Sequence, residues 1–425
     1  MTGHSRGIPR RTFVKSAVAI GGASALSACV DRFGQPDVPR GPDDLSKLPE
    51  RQHAWNGALP ADDSGNRLAP RHNVLLLLNY AGDGTPTGGE RRTVETALRG
   101  LERAYARRHD GLLFTVGYSP RYFDRFDEPL PESVDLPEPE ALAPFENPAF
   151  DRPDAIVHLG SDHGQVVLAA EEALLGDREE LNGVELSADF GGVFEVAARR
   201  TGFVGEGLPA DHQDVSGIPD SEPVPEDAPL YMGFKSGFAK NQASEDRVTI
   251  PDGPFAGGAT QHVSAIALHL DQWYEQDSRE QRVAKMFCPA HAEEGRVEGT
   301  GENLGDGTGI EACADDTESD ARTKGMVGHS QKAARVREGG SPLILRRDFD
   351  STDGDQAGVH FVSIQRRIGD FVDTRKAMNG TDLSEGSAVG QRTNNGILQY
   401  MTVNRRGNYL LPPRSRRALP EPRPR

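Results

Sequence analysis

Asn73-Val-Leu-Leu-Leu-Leu-Asn79 places the tightest constraint on the fold. Five apolar residues in a row show neither helical spacing nor alternation, so both faces of the segment must be covered, and the run predicts a buried strand. The segments after it set the topology. Glu90 to Arg108 carries Val94, Ala97, Leu98, Leu101 and Tyr105 at helical spacing, and Gly111 to Val116 reads as a second strand. Asp154 to Leu159, Gln165 to Leu175 and Phe194 to Phe203 then read as strand, helix and strand. Two strand–helix–strand units in succession predict a ferredoxin-like α+β half. The pattern recurs with a strand at His262 to Leu268, a helix from Leu270 to Val283 containing Trp273, and a strand at Gly358 to Ile364. A helix around Phe371 to Met378 comes next, with last pieces at Gly396 to Val403 and Tyr409 to Leu411. The expected fold class is α+β, with two ferredoxin-like halves fused in one chain at 72–232 and 233–413. They would pack face to face or close into a barrel of the dimeric α/β type. Residues 286–325 read as a Gly/Asp/Glu-rich insertion.

The flanks carry different information. Pro9-Arg10-Arg11-Thr12-Phe13-Val14-Lys15 is a twin-arginine export pattern, and the small, apolar stretch Ser16 to Ala28 is too short to span a bilayer. Leu26-Ser27-Ala28-Cys29 has the form of a lipobox. The expectation is a signal peptide over 1–29, lipidation at Cys29, and an exported, extracellular protein that touches the membrane only through its anchor. Cleavage nearby without lipid is the alternative. Residues 30–71 read as a disordered spacer and 414–425 as a basic, Pro-rich disordered tail. The remaining ~340 residues are enough for one large or two fused domains.

The formal net charge is −17, from 65 acidic against 48 basic residues, and only eight of the basic residues are lysine. Such a surface stays hydrated in concentrated salt, which points to a halophilic source. It also argues against nucleic acid as a partner, because nothing neutralises phosphates in bulk. Self-association is left open. Apart from Cys29, the cysteines are Cys288 and Cys313, a pair in an exported chain, read as a disulfide closing the insertion. Two separate thiols are the alternative, and no CxxC or HxxxH spacing supports a metal between them.

Candidate chemistry lies at three places. His329, in Gly328-His329-Ser330-Gln331-Lys332, stands in a polar, glycine-bearing segment and is the leading candidate metal ligand, against a solvated loop histidine. Arg346 and Arg347 follow the apolar run Pro342 to Leu345. A guanidinium delivered from a strand end suits the stabilisation of developing negative charge, against a plain salt bridge. Gly233-Phe234-Lys235-Ser236-Gly237 is a glycine-bounded loop. His158 and His163 flank a strand-to-helix turn, Gly305 to Gly309 lacks the strand and lysine of a phosphate loop, and no nucleophile elbow is present.

Taken in order, these segments resemble the dye-decolourising (DyP-type) haem peroxidases. Val116-Gly-Tyr-Ser-Pro-Arg-Tyr-Phe-Asp-Arg-Phe126 is similar to a "VGFGPSLFDRF" stretch of that family, and Gly233 to Gly237 resembles its GxxDG signature. Pro254 to Thr260, Leu270 to Trp273, Ser278 to Gln281, Gly328-His329 and Ile344 to Arg347 come after it, and the likeness runs from Asn73 to Pro413. The resemblance implies a b-type haem, with His329 as proximal iron ligand. It makes Arg346 the distal arginine, with Arg347 as fallback, and puts Gly233, Phe234 and Gly237 in the haem-binding loop. Hydrogen peroxide would be reduced while an unidentified donor is oxidised. Two positions depart from the family. Ser236 stands where its distal aspartate would be, and Asn395 replaces the acidic residue that would accept the proximal histidine's second N–H. A serine cannot act as a base at neutral pH, so peroxidase activity is expected to be impaired unless Asp348 or Asp350 reaches the pocket. A haem-binding lipoprotein for uptake, storage or sensing is the alternative, and a structural surface domain without haem is a third.

Overall fold

The computed structural model describes residues 37–424, so the export pattern, the lipobox and Cys29 lie outside the described residues. The first half contains β1 (His72–Tyr80), α1 (Gly88–Ala104), β2 (Leu113–Tyr118), β3 (Ala155–Ser161), α2 (Gly164–Leu175) and β4 (Phe194–Phe203). Its antiparallel order is β4-β1-β3-β2. The second half contains β5 (Ala259–Leu268), α3 (Leu270–Glu275), α4 (Arg279–Met286) and α5 (His329–Ala333). It continues with β6 (Leu345–Arg346), β7 (Phe349–Ser351), β8 (Gly358–Gln365), α6 (Ile368–Asn379) and β9 (Met401–Leu411). Here the order is β9-β5-β8, with β6 and β7 both on the far edge of β8. Each half is a ferredoxin-like sheet. Asp350 pairs with Phe203 at one seam and Leu410 with Tyr118 at the other, so the two sheets close into one barrel.

Closure explains the apolar run in β1. Leu75 and Leu77 pack inside the barrel with Ile156, Val263, Phe349, Val362 and Tyr409. Val74, Leu76 and Leu78 point the other way, into the core beneath α1 and α2. Side chains alternate across a strand, so a barrel covered by helices buries both sets. α1 begins with a capping box between Thr87 and Glu90 and buries Val94, Ala97, Leu98 and Leu101.

Several segments differ from the sequence reading. The helix expected over Leu270 to Val283 is two helices, because Ser278 caps α4 through a capping box with Gln281. β9 is one strand with a bulge between Val403 and Arg405. The insertion holds short helices at Pro289–Glu293, Glu311–Ala314 and Thr317–Thr323. The spacer reading fails over 37–71, where Leu45, Trp55 and Leu59 are buried and Gln52 bonds Val116 and Pro412. The tail is ordered as well. Arg414 and Arg417 pair with Glu102 on α1, and Leu419 is fully buried. Composition marks both segments as polar, but partners hundreds of residues away supply the pairing that local sequence cannot show.

Two buried imidazoles in this frame give a pH prediction. His53 bonds Thr249 at 2.9 Å and His158 bonds Asn73 at 3.0 Å, and burial lowers the pKa of each to about 3. Between about pH 6.5 and 3 the unfolded chain binds protons that the folded chain refuses, so stability falls as pH falls through that window. Each histidine is expected to cost up to ~1.4 kcal/mol per pH unit below its unfolded value. Denaturant unfolding at pH 7 and pH 5 in high salt checks this; equal midpoints would contradict it.

Candidate functional site

One cavity lies against the outer face of the second sheet. β5 contributes Ser264, Ile266 and Leu268, and β8 contributes Val359 and Phe361. From β9 come Met401, Val403 and Arg406, and the bulge between Val403 and Arg405 brings Arg406 onto the same face. α5 and α6 cover the opposite side with His329, Ser330, Ala333, Phe371, Thr374, Arg375 and Met378. The 233–241 loop closes one end with Phe234, Lys235, Ser236 and Phe238. The lining is mostly apolar, yet several of its charged groups are cations, an inversion of the protein's net charge of −17.

His329 is the first residue of α5, and its position is heavily determined. A Cβ on the preceding Gly328 would lie 1.8 Å from the Phe287 carbonyl oxygen, so only glycine permits that approach. Gln331 locks the turn. Its side-chain oxygen accepts from the Gly328 N–H, and its amide donates to the Cys313 carbonyl and to Asp320. Cys313 is joined to Cys288 in a disulfide, so the helix start is tied to that link. His291 sits beside it, with Nδ1 2.9 Å from the Cys288 sulfur and Nε2 2.6 Å from the Thr308 carbonyl. With both sulfurs in the disulfide, this trio offers no thiolate to a cation.

The His329 ring has no hydrogen-bond partner among the described residues, and burial, followed by Lys332, Arg346 and Arg375, lowers its pKa to about 3. It is a neutral imidazole with free lone-pair chemistry on a cavity wall. The acceptor expected from Asn395 is occupied elsewhere. Its Oδ1 accepts from the buried Lys332 ammonium, which also bonds the Met378 and Asn395 carbonyls at 2.5 and 3.0 Å. Among the described residues no carboxylate bonds Lys332, and burial with Arg375 and Arg335, opposed by Asp382, pushes its pKa well below the ordinary lysine value. Lys332 is three residues after His329, and nothing in a lone sequence shows that it claims Asn395.

The strand bearing the arginine pair separates its two members. β6 and β7 pair with β8 in one register, Arg346 opposite Ser363 and Phe349 opposite His360. Alternation then puts Arg346, Asp348 and Asp350 on the cavity face, and all three line it. Arg347 points away, bonding Asn56 at 2.7 Å and facing Glu245 at 3.6 Å, so the fallback arginine is outside the cavity. Arg346 Nη1 lies 3.9 Å from Asp348 Oδ2. Asp350 accepts the Tyr231 N–H at 2.6 Å, and burial raises its carboxyl well above the usual range.

In the glycine-bounded loop, Gly233 and Gly237 have φ of +77° and +79°, a backbone that L side chains resist. Those two residues shape the turn and do not line the cavity, whereas Phe234 and Ser236 do. Phe234 packs edge-on against Phe287, with ring centroids 5.4 Å apart. Sequence reasoning missed Arg337 and Arg375. Among the described residues, Arg337 Nε and Arg375 Nη1 are buried without a partner, though other atoms of these residues pair with Glu311 and Glu146. The spacing Phe371, Thr374, Arg375, Met378 was the available signal for Arg375, one stripe of α6.

A family profile described as a family of unknown function (DUF7405) matches residues 70–413. Among curated proteins, nothing matches. Solved structures share the fold. Ferric DtpA from Streptomyces lividans is 19% identical with a TM-score of 0.53, covering 88% of this chain and 96% of that one. The DyP-type peroxidase from Cellulomonas bogoriensis is 18% identical with a TM-score of 0.51, covering 84% and 95%. The encapsulated DyP-type peroxidase from Mycobacterium smegmatis is 14% identical with a TM-score of 0.51, covering 86% and 100%. The chain has the DyP-type peroxidase fold.

Proposed function

The chain belongs to the DUF7405 family, of unknown function, and from its site we propose a haem-dependent peroxidase of the DyP type that reduces hydrogen peroxide and oxidises an as yet unidentified donor. The observation that carries this is a neutral imidazole, His329, with no hydrogen-bond partner among the described residues, on the wall of an apolar cavity whose other wall presents Arg346. The residues present fit a b-type haem. The cavity supplies apolar strands and helices for the macrocycle, His329 an unprotonated nitrogen for iron, and Arg337 and Arg375 buried orphan N–H groups for carboxylates. When bound, haem supplies the electron pair that cleaves the O–O bond, which the donor then restores.

The protein's own residues do the rest. Arg346 donates hydrogen bonds to peroxide oxygens and stabilises negative charge as the bond lengthens, in a cavity where such contacts are worth more than in water. Phe234 and Phe361 keep the site largely apolar. Ser236 donates or relays but does not take a proton at neutral pH.

The test is to titrate the protein with haemin in concentrated salt, then add peroxide with a dye donor. A saturable Soret band and peroxide consumption are expected. Arg346→Leu is expected to keep haemin affinity and lose turnover ~10²–10³-fold. No Soret band, or haem binding without peroxide reduction, overturns the reading. Export by the twin-arginine route and a lipid anchor at Cys29 belong to the same proposal, and mass spectrometry of the mature N-terminus tests them.

A further inference from the structure

We propose that Asp348 is the proton-handling group of this cavity, doing from the sheet what Ser236 cannot do from the loop. The proposal rests on the haem-peroxidase reading of the site. Arg346 ends β6 and Asp348 lies two residues on, in the short link before β7; both line the cavity, and their nearest polar atoms are 3.9 Å apart. That separation is too long for a tight hydrogen bond and short enough for both to reach one small oxygen ligand. The strand register makes the convergence rigid, because β6 and β7 pair with β8 on either side of Asp348.

The other acidic residue on this face is unsuited. Asp350 is buried, its oxygen already accepts from the Tyr231 N–H at 2.6 Å, and its carboxyl holds its proton well above the usual range. Asp348 is less enclosed, with a side chain 13% exposed. The relay moves one proton between the two oxygens of a single hydrogen peroxide. The O–H bond lost at the nearer oxygen re-forms at the farther one, which departs as water, and Asp348 ends as it began. The electrons for O–O cleavage are those that haem supplies.

Cyanide association gives a readout free of turnover and donor, since hydrogen cyanide must lose its proton to bind ferric haem. Haemin titration comes first; without a Soret band in the unaltered protein both the reading and this proposal fall. With haem bound, Asp348→Asn is expected to slow cyanide association ~10²-fold or more at unchanged haemin affinity. Introduced into the Asp348→Asn variant, Ser236→Asp is expected to restore cyanide association at least ~10-fold. An Asp348→Asn rate within ~3-fold of the unaltered protein overturns the proposal and leaves the haem site standing. So does a ~10²-fold gain from Ser236→Asp alone, which needs no Asp348 variant to fold.

Discussion

His329→Ala is expected to abolish tight haemin binding, raising the dissociation constant ~10²-fold or more and removing the ligand-dependent Soret maximum. The size follows from how the imidazole is prepared. Its pKa is lowered to about 3, so at neutral pH no proton competes for the nitrogen that would bind iron. No hydrogen bond within the described residues has to be broken first. The main chain beneath it is held by Gly328, Gln331 and the disulfide-tethered segment at Cys313, none of which the substitution touches. Alanine also suits a helix, so the fold should persist. Added imidazole should re-enter the vacated space and restore the band. A variant that binds haemin as tightly as the unaltered protein would sink the assignment of His329.

The second large effect concerns stability. Glu146 is buried between two arginines, with Arg375 Nη2 at 2.5 Å and Arg406 Nη2 at 2.8 Å. Burial opposes its ionisation, but the two guanidiniums win and hold its pKa below the ordinary value. Arg375 and Arg406 are themselves almost wholly buried, so Glu146→Ala strands two charges without a counter-ion. A loss of about 3–5 kcal/mol is expected on chemical denaturation. Concentrated salt should not rescue it, because ions screen exposed pairs and not buried ones. A loss under about 1 kcal/mol would show that water reaches the arginines. Both arginines line the cavity, so the variant should also weaken haemin binding.

Much of this site could be read from the chain itself. His329, Arg346 and Ser236 all line one cavity, and Gly233 and Gly237 have the positive φ that their glycine identity anticipates. Choices made by partners could not be read. Arg347 lies beside Arg346 in sequence, yet only the register with β8 decides which guanidinium enters the cavity. The same register selects Asp348 over neighbours of equal chemistry. Asn395 was a reasonable acceptor for the imidazole until Lys332 took it. Arg337 and Arg375 look like ordinary surface arginines until the walls they complete are assembled.

The loop Gly233 to Gly237 draws the same line. Sequence alone determined the two halves and most of their strands and helices, and marked Gly233 to Gly237 as a glycine-bounded loop, because burial on both faces and turn glycines leave local marks in residue type. Only the tertiary structure decided that 37–71 and 414–424 pack as parts of the domain, and that Asp348 faces the cavity whose loop carries Ser236. Those outcomes depend on contacts between residues up to hundreds of positions apart. Their energy comes from desolvation and pairing in the folded state, which no local pattern records.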